Sequence, residues 1–455
     1  METARSGNFV HAGKTGDVPM PEAIIVGAGV AGISAALHLA RRGWRVMLLE
    51  AQHRIGGRAA SLPDPHTGEL LDTGQHVLLG NYHELLSLLR ELGSAELLGP
   101  AAPLRFALCR SGGERHWFEP ARLPGRLGFL HALWRLPRLR WVERLRVLSA
   151  VAALLSGVAP RGTVECFLWR FRQPISAVEN FWEPLTLATL NTTCAEADVR
   201  MLAVVLRRGF LGSAAGARLI IPNAPLQTLL EPVERWLQQR GGTLLLGARV
   251  RQLLLEQSHR VGVELEEGKR LWADALVLAV PPWNAQRLLQ SRGLDADLPK
   301  FLYSPIVTVY LWLRKATFPA RMCALIGTLF QWVFVHPSTV AACRVALVCS
   351  AADTLAELPH MAIAERAREE LLSAFPELSA ADILHQRVLV ERRATLRLRP
   401  ELARLRPSGR LPHPAVVLAG DWLQTGLPCT LEGAARSGRR AAEWLHRTVA
   451  KRSLR

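Results

Sequence analysis

A short apolar run, Ala23 to Val26, leads into glycines. A second apolar stretch runs from Gly32 to Arg42, and a third, Arg45 to Glu50, follows Gly43. Apolar runs of strand length on both sides of a helix-length segment predict a β-α-β unit: strand 23–26, helix 32–42 stopped by Gly43, strand 45–50. Their near-continuous apolar character suits a parallel sheet covered on both faces. From about Leu104 to Gly216 the pattern turns helical and irregular, mixing tryptophan, arginine and leucine. Leu226 to Arg240 has the spacing of one amphipathic helix closed by Gly241-Gly242. Thr243 to Leu246, Val250 to Glu256 and Val261 to Glu266 read as strands, and Ala275 to Val280 as a buried strand ending at Pro281-Pro282. The mixed texture returns over 285–405, where Ile306 to Leu313 is a further strand. Ala415 to Ala419 is then a strand, Gly420-Asp421 a turn, and Glu432 to Thr448 a helix. No internal repeat or long linker interrupts this order.

Composition narrows the class. A chain of 455 residues with 49% hydrophobic and 21% charged residues has the makeup of a globular protein of two or three interleaved units, not of a disordered one. Seven widely spaced cysteines, odd in number and without a C-x-x-C, argue against a disulfide framework or zinc site and for a reducing compartment. Residues 1–20 read as a flexible polar leader. The apolar run after them is broken by glycines at a meaningful spacing, which excludes a signal peptide. Elsewhere no stretch reaches the ~18–20 apolar residues needed to cross a bilayer, and the apolar run Val147 to Pro160 is too short. The formal charge of +17 rests on arginine, since lysine occurs only at 14, 269, 300, 315 and 451. Coding bias in an arginine-rich genome and a functional basic surface are equal readings of that bias, and the resulting field attracts anionic lipid or polyanions either way.

Gly27-Ala28-Gly29-Val30-Ala31-Gly32 is a G-x-G-x-x-G opening a helix directly after a strand. Gly27 permits a tight turn, Gly29 lets the backbone approach a pyrophosphate, Gly32 lets helix and strand pack closely, and the helix N-terminus presents N–H groups to the phosphates. Glu50 ends the second strand, at the separation from Gly32 where a carboxylate reaches an adenosine ribose. Arg54-Ile55-Gly56-Gly57-Arg58 and Ser61 then supply a second glycine pair able to wrap back over the pyrophosphate.

This Glu, five residues, Gly-Gly-Arg, two residues, Ser pattern resembles the amine-oxidase and phytoene-desaturase superfamily of flavoproteins. Leu418-Ala419-Gly420-Asp421-Trp422, Glu432-Gly433-Ala434 and Ser437-Gly438 match the same superfamily near the C-terminus. The resemblance implies that FAD is the cofactor and that Asp421 lies near its ribityl-phosphate part. The backbone around Gly433 and Ala434 would face the flavin N1/C2=O end. Gly247-Ala248-Arg249-Val250 resembles the strand whose backbone, at Val250, touches adenine. No histidine or cysteine occupies a recognisable attachment position, so non-covalent FAD is expected. The implied fold is α/β: a Rossmann-like FAD-binding domain assembled from 21–100, 217–284 and 408–450, with a mixed α+β substrate domain from 101–216 and 285–407 that has a helical subregion.

In monoamine oxidases the strand corresponding to 306–313 carries a lysine, absent here, and an aromatic stands where this chain has Cys429-Thr430. That argues against amine oxidation. Asp72-Thr73-Gly74-Gln75-His76-Val77-Leu78-Leu79-Gly80, Glu183-Pro184-Leu185 with Leu190-Asn191-Thr192, and Gly420-Asp421-Trp422 with Thr425-Gly426-Leu427-Pro428 resemble the hydroxysqualene dehydroxylases of hopanoid synthesis. The likeness runs from about Glu22 to Trp444, with departures at Leu423-Gln424, Cys429 and Leu431. It implies reduction of an allylic triterpenoid alcohol, hydroxysqualene, to squalene. His76 is then the candidate proton donor, or else only a hydrogen-bond partner of the backbone or the flavin edge; Asp72 is the rival acid, or else caps its own turn. Glu183, Asn191 and Pro428 are expected to line the pocket, although Glu183 and Asn191 equally suit satisfying buried backbone. The alternatives are carotenoid-type desaturation or isomerisation on the same fold, and a non-enzymatic lipid or flavin carrier, which two segments shaped for the reactive end of FAD disfavour.

Only one dinucleotide fingerprint is present, so the expected electron donor is a separate, unidentified molecule. Between Arg105 and Arg146, ten arginines stand against three acidic residues, interleaved with Trp117, Phe129, Trp134 and Trp141. That pattern fits an amphipathic element lying in a headgroup layer, or else a solvated basic face. The expected location is cytoplasmic, peripheral on the inner face of the membrane. No nucleic-acid reader module is recognisable.

Overall fold

The computed structural model describes residues 20–120, 126–156, 161–211, 218–256, 260–291, 293–294, 298–315 and 317–450. Nearly all of the expected leader lies outside them. Strand Glu22–Val26, helix Val30–Ala40 and strand Arg45–Leu49 form the expected unit. Its strands lie in a five-stranded sheet, every pairing parallel, in the order Thr243–Leu245, Arg45–Leu49, Glu22–Val26, Ala275–Leu278, Val416–Leu418. Three distant stretches of the chain therefore build one sheet.

Successive residues of the first strand point to opposite faces. Ala23 and Ile25 pack beneath helix Val30–Ala40 and residues of the last helix, Leu431–Ala450. Ile24 and Val26 pack on the other side against a three-stranded antiparallel sheet, Val250–Leu255, Val261–Leu265 and Arg270–Ala273. The three runs expected between 243 and 266 are thus all strands, but the first joins the parallel sheet and the other two leave it. The segment 226–240 is not one helix. It is Leu226–Leu230 and Val233–Gln238, broken around Pro232, whose missing N–H and ring cannot be accommodated inside a helix.

The second large sheet has seven strands in the order Ile383–Leu396, Tyr303–Leu313, Cys343–Ser350, Trp332–His336, Met322–Leu325, Phe106–Cys109, Arg115–Phe118. Its last two strands come from the region that reads as helical and irregular. One face packs on helix His360–Ala374. The other meets helices drawn from 126–211 and forms a cluster rich in aromatic side chains.

A half-buried carboxylate ties this sheet to the loop that follows the glycine motifs. Glu69 accepts from Trp312 Nε1 and Arg344 Nη1, both at 2.8 Å, and from Ser338 Oγ at 2.9 Å and Thr339 N at 2.6 Å. Burial pushes its carboxyl up, but the hydrogen bonds from Thr339, Trp312 and Ser338 outweigh that and bring it to about 2. A depressed folded-state value means stability that is present above the ordinary carboxyl range and lost as pH falls toward 2. Glu69→Gln places an N–H against two donors and leaves Arg344 without its charge partner. We expect a loss of about 3–5 kcal/mol in urea unfolding at pH 7, and a shallower acid limb than wild type.

Candidate active site

Gly27 leaves the first strand with φ +104°, and its N–H donates to Leu49 O at 2.7 Å. A Cβ on Gly32 would stand 1.9 Å from Gly27 O, and one on Gly27 would stand 2.5 Å from Ala279 O. Gly29 differs: the nearest atom to a Cβ there is Gly56 O at 3.9 Å, so this glycine borders open space. Gly56 and Gly57, at φ +100° and +61°, fold onto that turn, with Gly56 N donating to Ala28 O at 2.9 Å. The glycines thus do two jobs. Gly27 and Gly32 let backbone touch backbone, while Gly29 and Gly57 leave a bare cradle at the head of the helix. A pyrophosphate fits such a cradle because it supplies the anion that backbone donors and the helix dipole favour.

One continuous cavity of about 1190 Å³ runs from this cradle into the interior. Glu50 lies on one side of the cradle, its carboxylate accepting from Ala28 N and Gln52 N at 2.9 Å each. Val250 lines the same side, and its carbonyl accepts from Arg287 Nη2 at 3.1 Å. Arg58, Gly420 and Asp421 line the cavity as well. Arg58 does not reach freely over the cradle: its Nη2 is held 2.5 Å from Asp421 Oδ1, and its Nη1 donates to Ala394 O. Gly420 is fixed by its N–H to Ser437 Oγ, 2.7 Å. At the start of the last helix Ala434 lines the cavity, as do Leu431 and Glu432. Gly433 is not among the lining residues, and its N–H is taken by Thr430 Oγ1 at 3.1 Å.

Beyond this polar end the walls become apolar and aromatic. Phe106, Phe118, Phe129, Phe181, Phe210 and Trp332 line the cavity. Phe106 stacks on Phe118 with centroids 5.0 Å apart, and Phe129 on Phe210 at 5.5 Å. Phe181 and Phe210 sit on the π-helical segments Val178–Trp182 and Val205–Phe210, whose wider turn alters which side chains face the lumen. Pro428 lines the cavity, and so does Asn191. The Asn191 amide is spent on structure: it donates to Ser304 O (3.1 Å) and Thr395 Oγ1 (3.0 Å) and accepts from Ala351 N (2.7 Å).

His76 lies in the wall together with Gln75. Burial pushes the imidazole below its ordinary range, opposed by the Asp72 charge and the Gly74 backbone. A relay orders the loop around it. Burial and Arg344 push His336 down to about 3, so its ring is neutral, and Nε2 donates to Gln75 Oε1 at 2.7 Å. Gln75 Nε2 donates to Tyr310 OH at 2.6 Å, which donates to Asp72 O at 2.9 Å.

Two of the expected site residues are placed elsewhere. Asp72 does not line the cavity, nor does it cap its own turn. Its Oδ1 accepts from Ser61 Oγ (2.6 Å) and from Leu226 N (3.0 Å), so it caps a helix distant in sequence. Glu183 is likewise absent from the wall and accepts from Cys194 N at 3.0 Å. Both carboxylates satisfy backbone N–H groups in regions where water is scarce.

Glu432 escaped the sequence reading as a titrating group. It accepts from Glu84 N at 3.2 Å and Leu85 N at 3.0 Å, joining the last helix to helix His83–Glu91, and burial pushes its carboxyl up to about 7. Nothing in its own segment signals this, because the helix that covers it comes from the opposite end of the chain.

Gly32→Ala forces a Cβ into Gly27 O. We expect the purified variant to lose the visible absorbance of bound flavin even where it remains folded by circular dichroism.

Residues 30–446 match the family model for flavin containing amine oxidoreductases. A hydroxysqualene dehydroxylase of Sinorhizobium fredii is 28% identical, the alignment covering 93% of this chain and 98% of that protein. A 15-cis-phytoene desaturase of Narcissus pseudonarcissus is 27% identical over 93% of this chain and 79% of its own length. Among solved structures, the cyclohexylamine oxidase from Brevibacterium oxydans IH-35A superposes with a TM-score of 0.70 at 17% identity, covering 96% of this chain and 100% of that one, which speaks to the fold alone. The chain belongs to the flavin containing amine oxidoreductase family, as an oxidoreductase whose cofactor is FAD.

Proposed function

We propose that the chain catalyses reductive dehydroxylation of hydroxysqualene, an allylic C30 alcohol, to squalene. The observation that carries this reading is the continuity of the cofactor cradle with a deep, aromatic-walled cavity. It is supported by hydroxysqualene dehydroxylases standing at 27–29% identity over most of the chain. The balance is R–OH plus reduced FAD giving R–H, water and oxidised FAD. The C–O bond breaks, a hydride forms the new C–H bond, and a proton joins the departing hydroxide. Bound FAD, reduced beforehand by a separate electron donor and held non-covalently, supplies the hydride.

The protein's own part is to hold the chain, keep water out and deliver the proton. The rings from Phe106 to Trp332 provide a dry sleeve for an isoprenoid chain, and their negative faces suit positive charge that develops on an allylic carbon. Gly27, Gly29, Gly32, Gly56 and Gly57 seat the pyrophosphate, Glu50 and Val250 take the adenosine side, and Arg58, Gly420, Asp421 and Ala434 take the flavin side. Gly433 supports that turn through its bond to Thr430. His76, in the cavity wall, is the candidate donor of the proton to the leaving oxygen; Asp72 acts behind it, as a charge that opposes the imidazole's deprotonation. A donor whose value burial has lowered gives up its proton below the ordinary imidazole range, so turnover should fall with rising pH on the acid side of neutrality.

Anaerobic incubation of the photoreduced protein with hydroxysqualene should reoxidise the flavin and yield squalene. Reduction of the oxidised flavin by phytoene instead would establish desaturation, the direction that the names of the phytoene desaturase relatives carry. His76→Gln should keep its FAD and lose roughly 10²–10⁴-fold in turnover, with the decline on raising pH abolished. Undiminished turnover excludes the proton-donor role.

We infer further that the helical region rests on an anionic bilayer. Among the described residues no helix is long and apolar enough to cross one. Trp141 (68% exposed), Trp169 (83%) and Ile175 (71%) project from neighbouring helices, with the exposed arginines 135, 138, 140 and 146 around them. Two of the aromatics expected on this element serve elsewhere. Phe129 lines the cavity, and Trp117 lies on a strand beneath Arg105, 4.0 Å away. Wild type should float with phosphatidylglycerol liposomes, and a Trp141→Ser, Trp169→Ser variant should partition much less. Equal partition of the two removes the membrane role from these residues.

A further inference from the structure

Arg406, which follows helix Pro400–Leu405, is only 5% exposed. Its guanidinium donates from Nε to Trp422 O (3.3 Å), from Nη1 to Leu427 O (2.7 Å), and from Nη2 to Asp421 O (2.5 Å) and Thr425 Oγ1 (3.4 Å). All these acceptors belong to the loop that forms the wall beyond Gly420. Among the described residues no carboxylate lies within ion-pair distance of it. A buried cation held only by neutral oxygens is costly unless its charge is used, because an arginine cannot escape by deprotonating.

The charges around it do not cancel. Asp421 is the acid of this wall, and its carboxylate is taken by Arg58. Within the hydrogen-bonded group of Arg58, Asp421 and Arg406, two guanidinium groups and one carboxylate leave one positive charge. Tyr303 and Cys429 stand beside this group and remain neutral near pH 7, since burial pushes them up to about 12 and about 11. The field of Arg406 reaches the lumen: Cys429 lines the cavity, and Arg406 favours the charged form of its thiol.

Seated as proposed, with its pyrophosphate at Gly29 and its adenosine toward Glu50 and Val250, FAD would present its isoalloxazine toward Asp421, Leu427 and Cys429, which line the same cavity. Reduction adds negative charge to that ring, and a fixed positive charge in a poorly screened interior stabilises it without reorganisation.

We propose that Arg406 is a positioning residue that both shapes the loop Asp421–Leu427 and, through its uncompensated charge, raises the reduction potential of the bound FAD. The inference rests on FAD occupying this cavity and is independent of which substrate is reduced. Arg406 contributes from behind the wall, so it touches neither substrate nor cofactor.

The test compares FAD-loaded wild type, Arg406→Met, Arg406→Lys and Asp421→Asn, with midpoint potentials measured by dye-coupled reduction and FAD affinity measured separately by fluorescence. Arg406→Met should shift the potential to more negative values, and Asp421→Asn, which removes the opposing charge, to more positive ones. Arg406→Lys keeps the charge but not the four-donor geometry, so it should hold a near-wild-type potential with weaker FAD binding. Where Arg406→Met fails to retain FAD, Asp421→Asn and Arg406→Lys decide. A potential unchanged or lowered in Asp421→Asn, or unchanged in a flavin-loaded Arg406→Met, overturns the electrostatic role. Loss of FAD affinity with no movement of potential in any variant would reduce Arg406 to a purely structural brace.

Discussion

The contact on which the rest of the site depends is between bare backbones. Helix Val30–Ala40 lies so close to the strand before it that a single Cβ at Gly32 would stand 1.9 Å from Gly27 O. On its other side the same helix meets the last one, where a Cβ on Gly438 would stand 2.2 Å from Ala31 O. Two glycines near opposite ends of the chain therefore set the position of one helix against both neighbours. Its N-terminus, with Gly29 open beside it, is aimed by that packing. Any side chain at either position would move the phosphate donors and the wall from Gly420 to Ala434 relative to one another.

A second constraint works through polar groups. The loop carrying His76 has little apolar surface of its own to anchor it. It is held instead by Glu69, which collects donors from Trp312, Ser338, Thr339 and Arg344, and by the chain of bonds from His336 through Gln75 and Tyr310 to Asp72 O. A buried network of this kind is stable only when each member is satisfied, which makes it specific as well as stiff. It also joins the cofactor side of the cavity to the seven-stranded sheet, so the aromatic sleeve and the glycine cradle share one frame.

These two constraints differ in how legible they are. Glycine spacing encodes a backbone geometry locally, and the parallel strands carry continuous apolar runs, so the β-α-β unit, the cofactor and the sheet segments can be read from the chain. The two strands Phe106–Cys109 and Arg115–Phe118 read as irregular because they are short and join their sheet only through Met322–Leu325, a strand far along the chain. Asp72 and Glu183 are acids in motif-like surroundings, and sequence alone allows them a place in the pocket. Their hydrogen-bond partners, Leu226 N and Cys194 N, assign them to the scaffold. Arg406 is one arginine among many in a basic chain, and only its burial among carbonyl oxygens distinguishes it.

The two ends of the cavity place opposed demands on the chain, and the distribution of charge resolves them. Chemistry on an insoluble chain requires an apolar sleeve, and low polarity drives His76 toward its neutral form. A redox cofactor that gains negative charge requires the reverse, fixed cations close to a dry wall. Placing arginine behind the loop rather than in the lumen satisfies both demands: the carbonyl oxygens of Asp421, Trp422 and Leu427 solvate the guanidinium and keep it off the substrate. Lysine could not do this equally well. Its compact ammonium is strongly hydrated and presents its donors from a single nitrogen, whereas a planar guanidinium divides its charge among several oxygens. The residue that tunes the cofactor can then be buried, charged and out of contact at once.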